Sequence, residues 1–347
     1  MIPSTPLRER LRTLPKAELH LHALGALRPA TVVDLARRKN APILAEAERG
    51  AAEGYRFESL STFVQFFIGL FSLVTTAEEF ERVTFEILED AAAQGVRYAE
   101  LRVSPTSHTS RGATVEAMWA GLEAGRRAAD RTHGIVARWI VDFPRSLPVQ
   151  VADEALGVAL ATRTRGTVAL DISGDERAVA AHPRFAPVFA RARRAGLACV
   201  AHAGEGAGAE SVAGALELYG AVRIGHGTRS VEGPAVLARL AREGIPLEVC
   251  PTSNVRLNVV PSVRAHPIAR FLEAGIPVVV SSDDPELFGI DLLHEYDALH
   301  REAGIPLFEL GRCAAASFEH ALVEPGDDRD RLDGWRREAR VWAEGAR

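Results

Sequence analysis

Short apolar runs recur along the chain, and most are separated by segments with the three-to-four-residue apolar spacing of helices. In order they are Ala17–His22, Val96–Val103, Val136–Phe143, Thr167–Ile172, Ala198–Ala203, Val222–His226, Pro246–Cys250 and Pro277–Ser282. Ile276-Pro277-Val278-Val279-Val280 shows the type. It is near-continuously apolar rather than alternating, which suits a strand of a parallel sheet covered by helices on both faces. Several helical segments stop at a glycine able to take the left-handed cap, as in Arg193-Arg194-Ala195-Gly196, Arg242-Glu243-Gly244 and Leu272-Glu273-Ala274-Gly275. Eight such strands with helical crossovers predict an α/β chain closed as a (β/α)8 TIM barrel. A doubly wound open sheet fits the same alternation less well, because no Gly-x-Gly-x-x-Gly turn follows the first strand.

Two segments exceed a minimal barrel. One is a helical insertion at about residues 27–94, between the first and second strands, and it holds a Phe-rich apolar helix over Phe57–Phe71. It follows the C-terminal end of a strand, so it should sit on the active face. There it serves either as extra core or as a lid that excludes water. The other is a charged, helix-forming extension after about residue 287. With no internal repeat, low-complexity tract or linker, residues 1–347 read as a single barrel domain.

Composition narrows the partners. Apolar residues make up 47% and charged residues 25% of the 347, as in an ordinary soluble globular protein. The formal charge of −5 offers no basic face for nucleic acid, which leaves small molecules as the expected partners. Three widely spaced cysteines form neither a disulfide framework nor a Cys-x-x-Cys metal knuckle, so a reducing cytoplasm is the expected compartment. The N-terminal decapeptide lacks the apolar core of a signal peptide, and no stretch approaches the length of a membrane span. The oligomeric state is left open.

In such barrels chemistry gathers at the C-terminal ends of the strands. His20 and His22 close the first strand, His202 the fifth and His226 the sixth, and Asp283 and Asp284 follow the eighth. Of eleven histidines, these four alone fall at strand ends. Period-two spacing puts His20 and His22 on one side of a strand, able to grip one ion. Alone, His-x-His is a weak signal. Adjacent carboxylates at the end of an apolar strand are hard to explain as packing, because an unpartnered buried charge costs several kcal/mol. A divalent ion removes that difficulty for one of them. Three imidazoles and one Asp oxygen suit zinc better than calcium or magnesium, and water on zinc ionises near pH ~7.

The residues Pro15-Lys16-Ala17-Glu18-Leu19-His20-Leu21-His22, His202-Ala203-Gly204-Glu205, Gly225-His226-Gly227 and Ser282-Asp283-Asp284-Pro285 resemble, in order and separation, those of the adenosine deaminases. These are a mononuclear-zinc branch of the amidohydrolase superfamily. Asp171-Ile172-Ser173-Gly174-Asp175-Glu176 and Cys250-Pro251-Thr252-Ser253-Asn254 add to the likeness, which runs from about Leu14 to Asp297. The resemblance implies one Zn²⁺ per chain, held by His20, His22, His202 and Asp283. Glu205 would protonate the ring nitrogen beside the reacting carbon, and His226 would orient the attacking hydroxide and act in proton transfer. Asp284 would hydrogen-bond the purine imidazole nitrogen, and the Gly174 backbone would touch the pyrimidine side. His22 and Leu24 would also border the substrate.

One departure bears on substrate choice. The family usually reads His-x-His-Leu-Asp-Gly, and its Asp meets the 5′-hydroxyl of the ribose; here the segment is His20-Leu21-His22-Ala23-Leu24-Gly25. Leu24 cannot make that bond. The expected reaction is hydrolysis of a 6-aminopurine nucleoside to its 6-oxo product and ammonia. The expected substrate is a 5′-modified adenosine, such as 6-amino-6-deoxyfutalosine of a menaquinone route, or adenosine itself. Adenine deaminases, usually with Glu at this point, are the alternative. A binuclear amidohydrolase would need a carboxylated Lys at the end of the fourth strand, which reads Leu170-Asp171-Ile172-Ser173. A silent binding relative would have lost Glu205 or a ligand, and all are present.

Overall fold

Every apolar run of the sequence becomes a strand: β1 (Lys16–His22), β2 (Val96–Val103), β3 (Val136–Pro144), β4 (Thr167–Ser173), β5 (Ala198–Ala203), β6 (Arg223–His226), β7 (Leu247–Val249) and β8 (Val278–Val280). The computed structural model describes residues 6–57, 60–323 and 328–347. Glu58 and Ser59 of the Phe-rich stretch and the first five residues of the N-terminal decapeptide lie outside the described residues. Neighbouring strands pair in parallel in the order β1 to β8. The ring closes through one short seam. Leu21 bridges Asp283, the His22 amide donates to the Asp283 carbonyl at 2.9 Å, and the Asp283 amide donates to the His20 carbonyl at 3.1 Å. One oxygen of Glu18 accepts from the Ser282 amide at 3.0 Å and completes it.

The strand interiors depart from the all-apolar expectation. Glu100, Arg102, Arg223 and Glu248 are buried inside the barrel. Arg102 donates to Asp171 at 2.7 Å and to Glu248 at 2.6 Å, and Arg223 donates to Glu248 at 2.6 Å and also pairs with Glu100. Charges placed so deep need such complete pairing, since removing one partner strands the other.

Between β1 and β2 the described residues form four helices, Pro29–Arg38, Leu44–Glu53, Leu60–Leu70 and Ala77–Ala93. The last begins in a capping box: the Thr76 hydroxyl accepts from the Glu79 amide, and the Glu79 carboxylate accepts from the Thr76 amide. After β8 the chain continues in helices, and Leu307–Glu319 packs against β8 and β1. Ser317 accepts from the Ala17 amide, and the Leu322 amide donates to Glu100, so this extension seals the N-terminal end of the barrel. No helix among the described residues is long and apolar enough to cross a membrane. Cys199, Cys250 and Cys313 are free and buried.

Candidate active site

At the opposite end, β1, β5, β6 and the residues after β8 bring four imidazoles around one carboxylate. His20 Nε2 lies 3.2 Å and His22 Nε2 lies 3.4 Å from the same oxygen, Asp283 Oδ1. His22 Nε2 is 3.2 Å from His202 Nε2. Donors bound to one tetrahedral ion at 2.0–2.1 Å stand about 3.3 Å apart, so these separations fit a shared metal. His226 and Asp283 hold left-handed backbones at φ 62° and 66°, which turn each side chain sharply off its strand. Gly225 keeps the space open, since a Cβ there would stand 2.8 Å from the His20 ring.

One atom each of His20, His202, His226 and Asp283 lie within 4.8 Å of one another, with His22 at the edge. Outer hydrogen bonds sort ligands from non-ligands. His20 Nδ1 faces Glu248 at 2.8 Å, and His202 Nδ1 faces Asp171 at 3.1 Å. Burial opposes charge on Glu248, but Arg102, Arg223 and His20 hold it well below the usual carboxylate range. Asp171 is also held low, against burial, by His202 and Arg102. Ionised carboxylates only accept, so both Nδ1 atoms carry the proton and both Nε2 lone pairs turn inward. The buried His20 Nε2 is committed to no hydrogen bond and faces Asp283 Oδ1. Burial and Arg102 oppose protonation of His20, yet its two carboxylate neighbours raise it overall, a sign that this spot favours a cation. Burial keeps His22 neutral. Asp283 stays ionised against burial through His20 and the other imidazoles, and its Oδ2 accepts from Ser253 at 2.6 Å.

His226 is wired differently. Asn254 Oδ1 accepts from the Thr228 hydroxyl at 2.7 Å and faces His266 Nε2 at 3.3 Å, so the Asn254 amide group must turn its NH₂ toward His226 Nδ1, 3.3 Å away. That bond leaves the proton of neutral His226 on Nε2, 3.7 Å from Glu205 Oε1. A protonated nitrogen donates a hydrogen bond and cannot ligate. His20, His22, His202 and Asp283 could therefore hold an ion between them, with His226 in the same cluster.

Two further carboxyl groups keep their protons. Burial, with Asp283 and Glu176 close by, pushes Glu205 up to about 8, and its buried Oε1 lacks a partner. Burial, then Asp283 and Glu205, raise Asp284 well above the carboxylate range, and its Oδ1 is likewise unpartnered. Asp284 does not cap the helix that follows it. It fits its place only because residue 25 is glycine, where a Cβ would stand 1.8 Å from Asp284 Oδ1. Gly174 stands exposed just beyond β4 with φ at 90°.

Leu24 is a different case. It is 6% exposed and packed in the main core. Further apolar surface beside the site comes from the Phe-rich helix. Phe67 sits edge-on to His22 with centroids 6.4 Å apart, Phe63 follows at 5.9 Å, and Phe288 stacks on Phe63 at 5.8 Å. Phe66, on the same helix, is core at 1% exposure, as the extra-core reading of its sequence expects.

Sequence reasoning did not assign roles to Glu248, Asp171, Asn254 or Ser253. Glu248 stands inside Pro246-Leu247-Glu248-Val249-Cys250, and the argument applied to Asp283 and Asp284, a charge inside an apolar strand, would have found it.

Against known proteins, the adenosine deaminase family model matches residues 15–334. The chain belongs to the adenosine deaminase family. It is 39% identical over 325 residues to the aminodeoxyfutalosine deaminase of Streptomyces coelicolor, covering 92% of this chain and 84% of that one. The crystal structure of adenine deaminase from Arthrobacter aurescens superposes with a TM-score of 0.87 at 32% identity, covering 95% of this chain and 99% of that one. An amidohydrolase of Burkholderia ambifaria with bound Zn gives 0.89 at 29% identity, covering 99% and 96%. This family member is a hydrolase acting on carbon–nitrogen bonds, and its relatives support a purine deaminase with a small-molecule substrate.

Proposed function

We propose that the chain is a zinc-dependent deaminase of 6-aminopurine nucleosides. Its preferred substrate is a 5′-modified adenosine such as 6-amino-6-deoxyfutalosine, ahead of adenosine itself. The observation that carries the chemistry is Glu205 facing His226 beside three inward Nε2 atoms and Asp283. His20, His22, His202 and Asp283 would hold the ion, which supplies the Lewis acidity that makes water a nucleophile at neutral pH. Glu205 gives its proton to the ring nitrogen next to C6 as the water oxygen bonds to that carbon. His226, with its proton on Nε2, donates a hydrogen bond to the incoming oxygen and fixes its direction. The C6–N bond then breaks. Of the two protons of the water, one restores Glu205 and one leaves with ammonia. Asp284, protonated and unpartnered, donates to an acceptor nitrogen on the imidazole side of the purine, and Gly174 borders the pyrimidine side.

The 5′ preference is supported by Leu24 in place of a hydrogen-bonding residue and by the aromatic wall of Phe63, Phe67 and Phe288. The likeness to adenine deaminase favours a second reading, in which the free base is the substrate. A panel of adenine, adenosine, 5′-deoxyadenosine, 5′-methylthioadenosine and aminodeoxyfutalosine, followed by ultraviolet change and ammonia release, decides between them. The 5′-modified nucleosides should lead adenosine and adenine in kcat/KM by at least about tenfold. If adenine leads, the second reading holds, and if none of the panel releases ammonia, the deaminase reading fails.

A further inference from the structure

The segment that carries Glu205 belongs to neither a helix nor a strand. Residues Gly204 to Ala207 form a bend after β5, so their amides have no ladder or helix partner to meet. All four turn instead to one carboxylate. Glu176 Oε1 accepts from the Gly204 amide at 3.0 Å, and Oε2 accepts from Glu205 at 2.7 Å, Gly206 at 2.9 Å and Ala207 at 3.2 Å. The Ser211 hydroxyl donates to Oε1 as well. Glu176 is 3% exposed, so water does not compete for these bonds. Successive amides converging on one anion form a nest, whose strength depends on the charge it surrounds.

The carbonyl side of the same segment is held by cations. Arg145 donates to the His202 carbonyl at 2.6 Å, and its Nη1 lies 3.8 Å from Glu176 Oε1. The Arg229 side chain donates to the Gly206 carbonyl at 3.1 Å. The stretch from His202 to Ala207 is thus gripped on both edges, and Glu205 projects from its middle.

We propose that Glu176, backed by Arg145, is a positioning residue that sets the place of Glu205 for proton delivery. The proposal rests on the reading of Glu205 as the proton donor. A donor must be held within about 0.5 Å of its productive place to work, and a bend without internal hydrogen bonds cannot hold itself. Glutamine at 176 offers one oxygen and an NH₂ group that faces amide donors, so it cannot serve four amides.

A double-mutant cycle on the metal-loaded enzyme tests this, with metal content measured for each protein. The four proteins are the native enzyme, Glu176→Gln, Glu205→Gln and the pair together. The readouts are kcat and KM for the best nucleoside of the panel. Glu176→Gln should lower kcat by about 10- to 100-fold and leave KM within about threefold, the mark of an interaction made only in the transition state. In the Glu205→Gln background the same change should cost less than about threefold, because the group it positions is already gone. Equal losses in both backgrounds, or no loss in the native one, would overturn the positioning role. Near-native turnover of Glu205→Gln by itself would instead overturn the proton-donor reading, and this proposal with it. Should Glu176→Gln not yield metal-loaded protein, Ser211→Ala repeats the cycle. It removes one donor to the same carboxylate, and a loss of about 2- to 10-fold confined to the native background supports the role, whereas an equal loss in both backgrounds or none overturns it.

Discussion

Glu205 and Asp284 are carboxylic acids rather than carboxylates, because burial and the nearby charge of Asp283 disfavour further negative charge. Asp283 takes the one ionised place, stabilised by the imidazoles. Three neighbouring carboxyl groups thus divide into one anion for a cation and two acids for a substrate. Glu205→Gln should fold and keep its metal but lose about 10²- to 10⁴-fold in kcat, the usual worth of a positioned acid. Metal analysis beside ammonia-release kinetics checks this. His226→Ala should behave alike, with metal retained, since the proton on Nε2 leaves that nitrogen no lone pair for a ligand bond; loss of the metal would make His226 a ligand. Leu24 tests substrate choice. Leu24→Asp replaces a packed side chain with a carboxylate, at a stability cost of about 2–5 kcal/mol. It should also narrow the preference for 5′-methylthioadenosine over adenosine. The ratio of the two kcat/KM values measures that independently of the fraction folded. An unchanged ratio would remove Leu24 from the specificity argument.

Among elements, the strands were legible because each is a short apolar run, and Val96–Val103 and Ala198–Ala203 keep even their predicted ends. The eighth was overextended. Pro277 to Ser282 reads as one run, but the strand ends at Val280, and Ser281 and Ser282 lead into the left-handed Asp283. The buried charges of β2 and β6 were illegible, since a lone Arg or Glu in a strand looks like an outward residue until its partner is known. The helix Pro251–Arg256 hides a similar dependence. It carries Ser253 and Asn254 to the site, and its Thr252 is held by Glu295 of the helix Leu292–Arg301, through amide bonds of 3.0 and 3.2 Å and a hydroxyl bond of 2.9 Å. Burial pushes Glu295 up to about 8. An unfolded Glu titrates near ~4.3, so between that pH and about 8 the folded protein binds the extra proton. Glu295 therefore adds most stability below pH ~4.3 and loses it as pH rises to 8, by up to about 1.4 kcal/mol per unit. Glu295→Gln does not titrate. Melting curves should show the variant gaining on the native protein from pH 5 to pH 8, and parallel curves would contradict the shift.

Across the whole molecule, the seam that closes the barrel and the site that would hold the metal are the same residues. His20, His22 and Asp283 supply both the backbone bonds between the first strand and the end of the last and three of the four candidate ligands. The eighth and first strands share little other pairing, so an ion there would act as a clasp on the ring. The main apolar cluster runs from Leu11 to Ala339, beside a small second one of Ile140, Val168, Ala169 and Val200, and we propose that the chain unfolds as a single unit. Removing the ion should then lower the stability of the entire fold rather than loosen a loop. An ion present at 100 to 1,000 times its dissociation constant stabilises by about 2.7–4.1 kcal/mol. For a domain of this size that corresponds to a fall in Tm of about 4–6 °C on chelation. Calorimetry before and after chelation should show one transition in each case, moved by that amount and restored by added zinc. Hydrogen exchange separates the clasp from a general effect. Amides of His22 and Asp283 should lose protection first and most, while those of β3, which carries no ligand, change only with the global stability. A chelated, metal-free protein with unchanged Tm and an intact seam would show that the backbone bonds alone close the barrel.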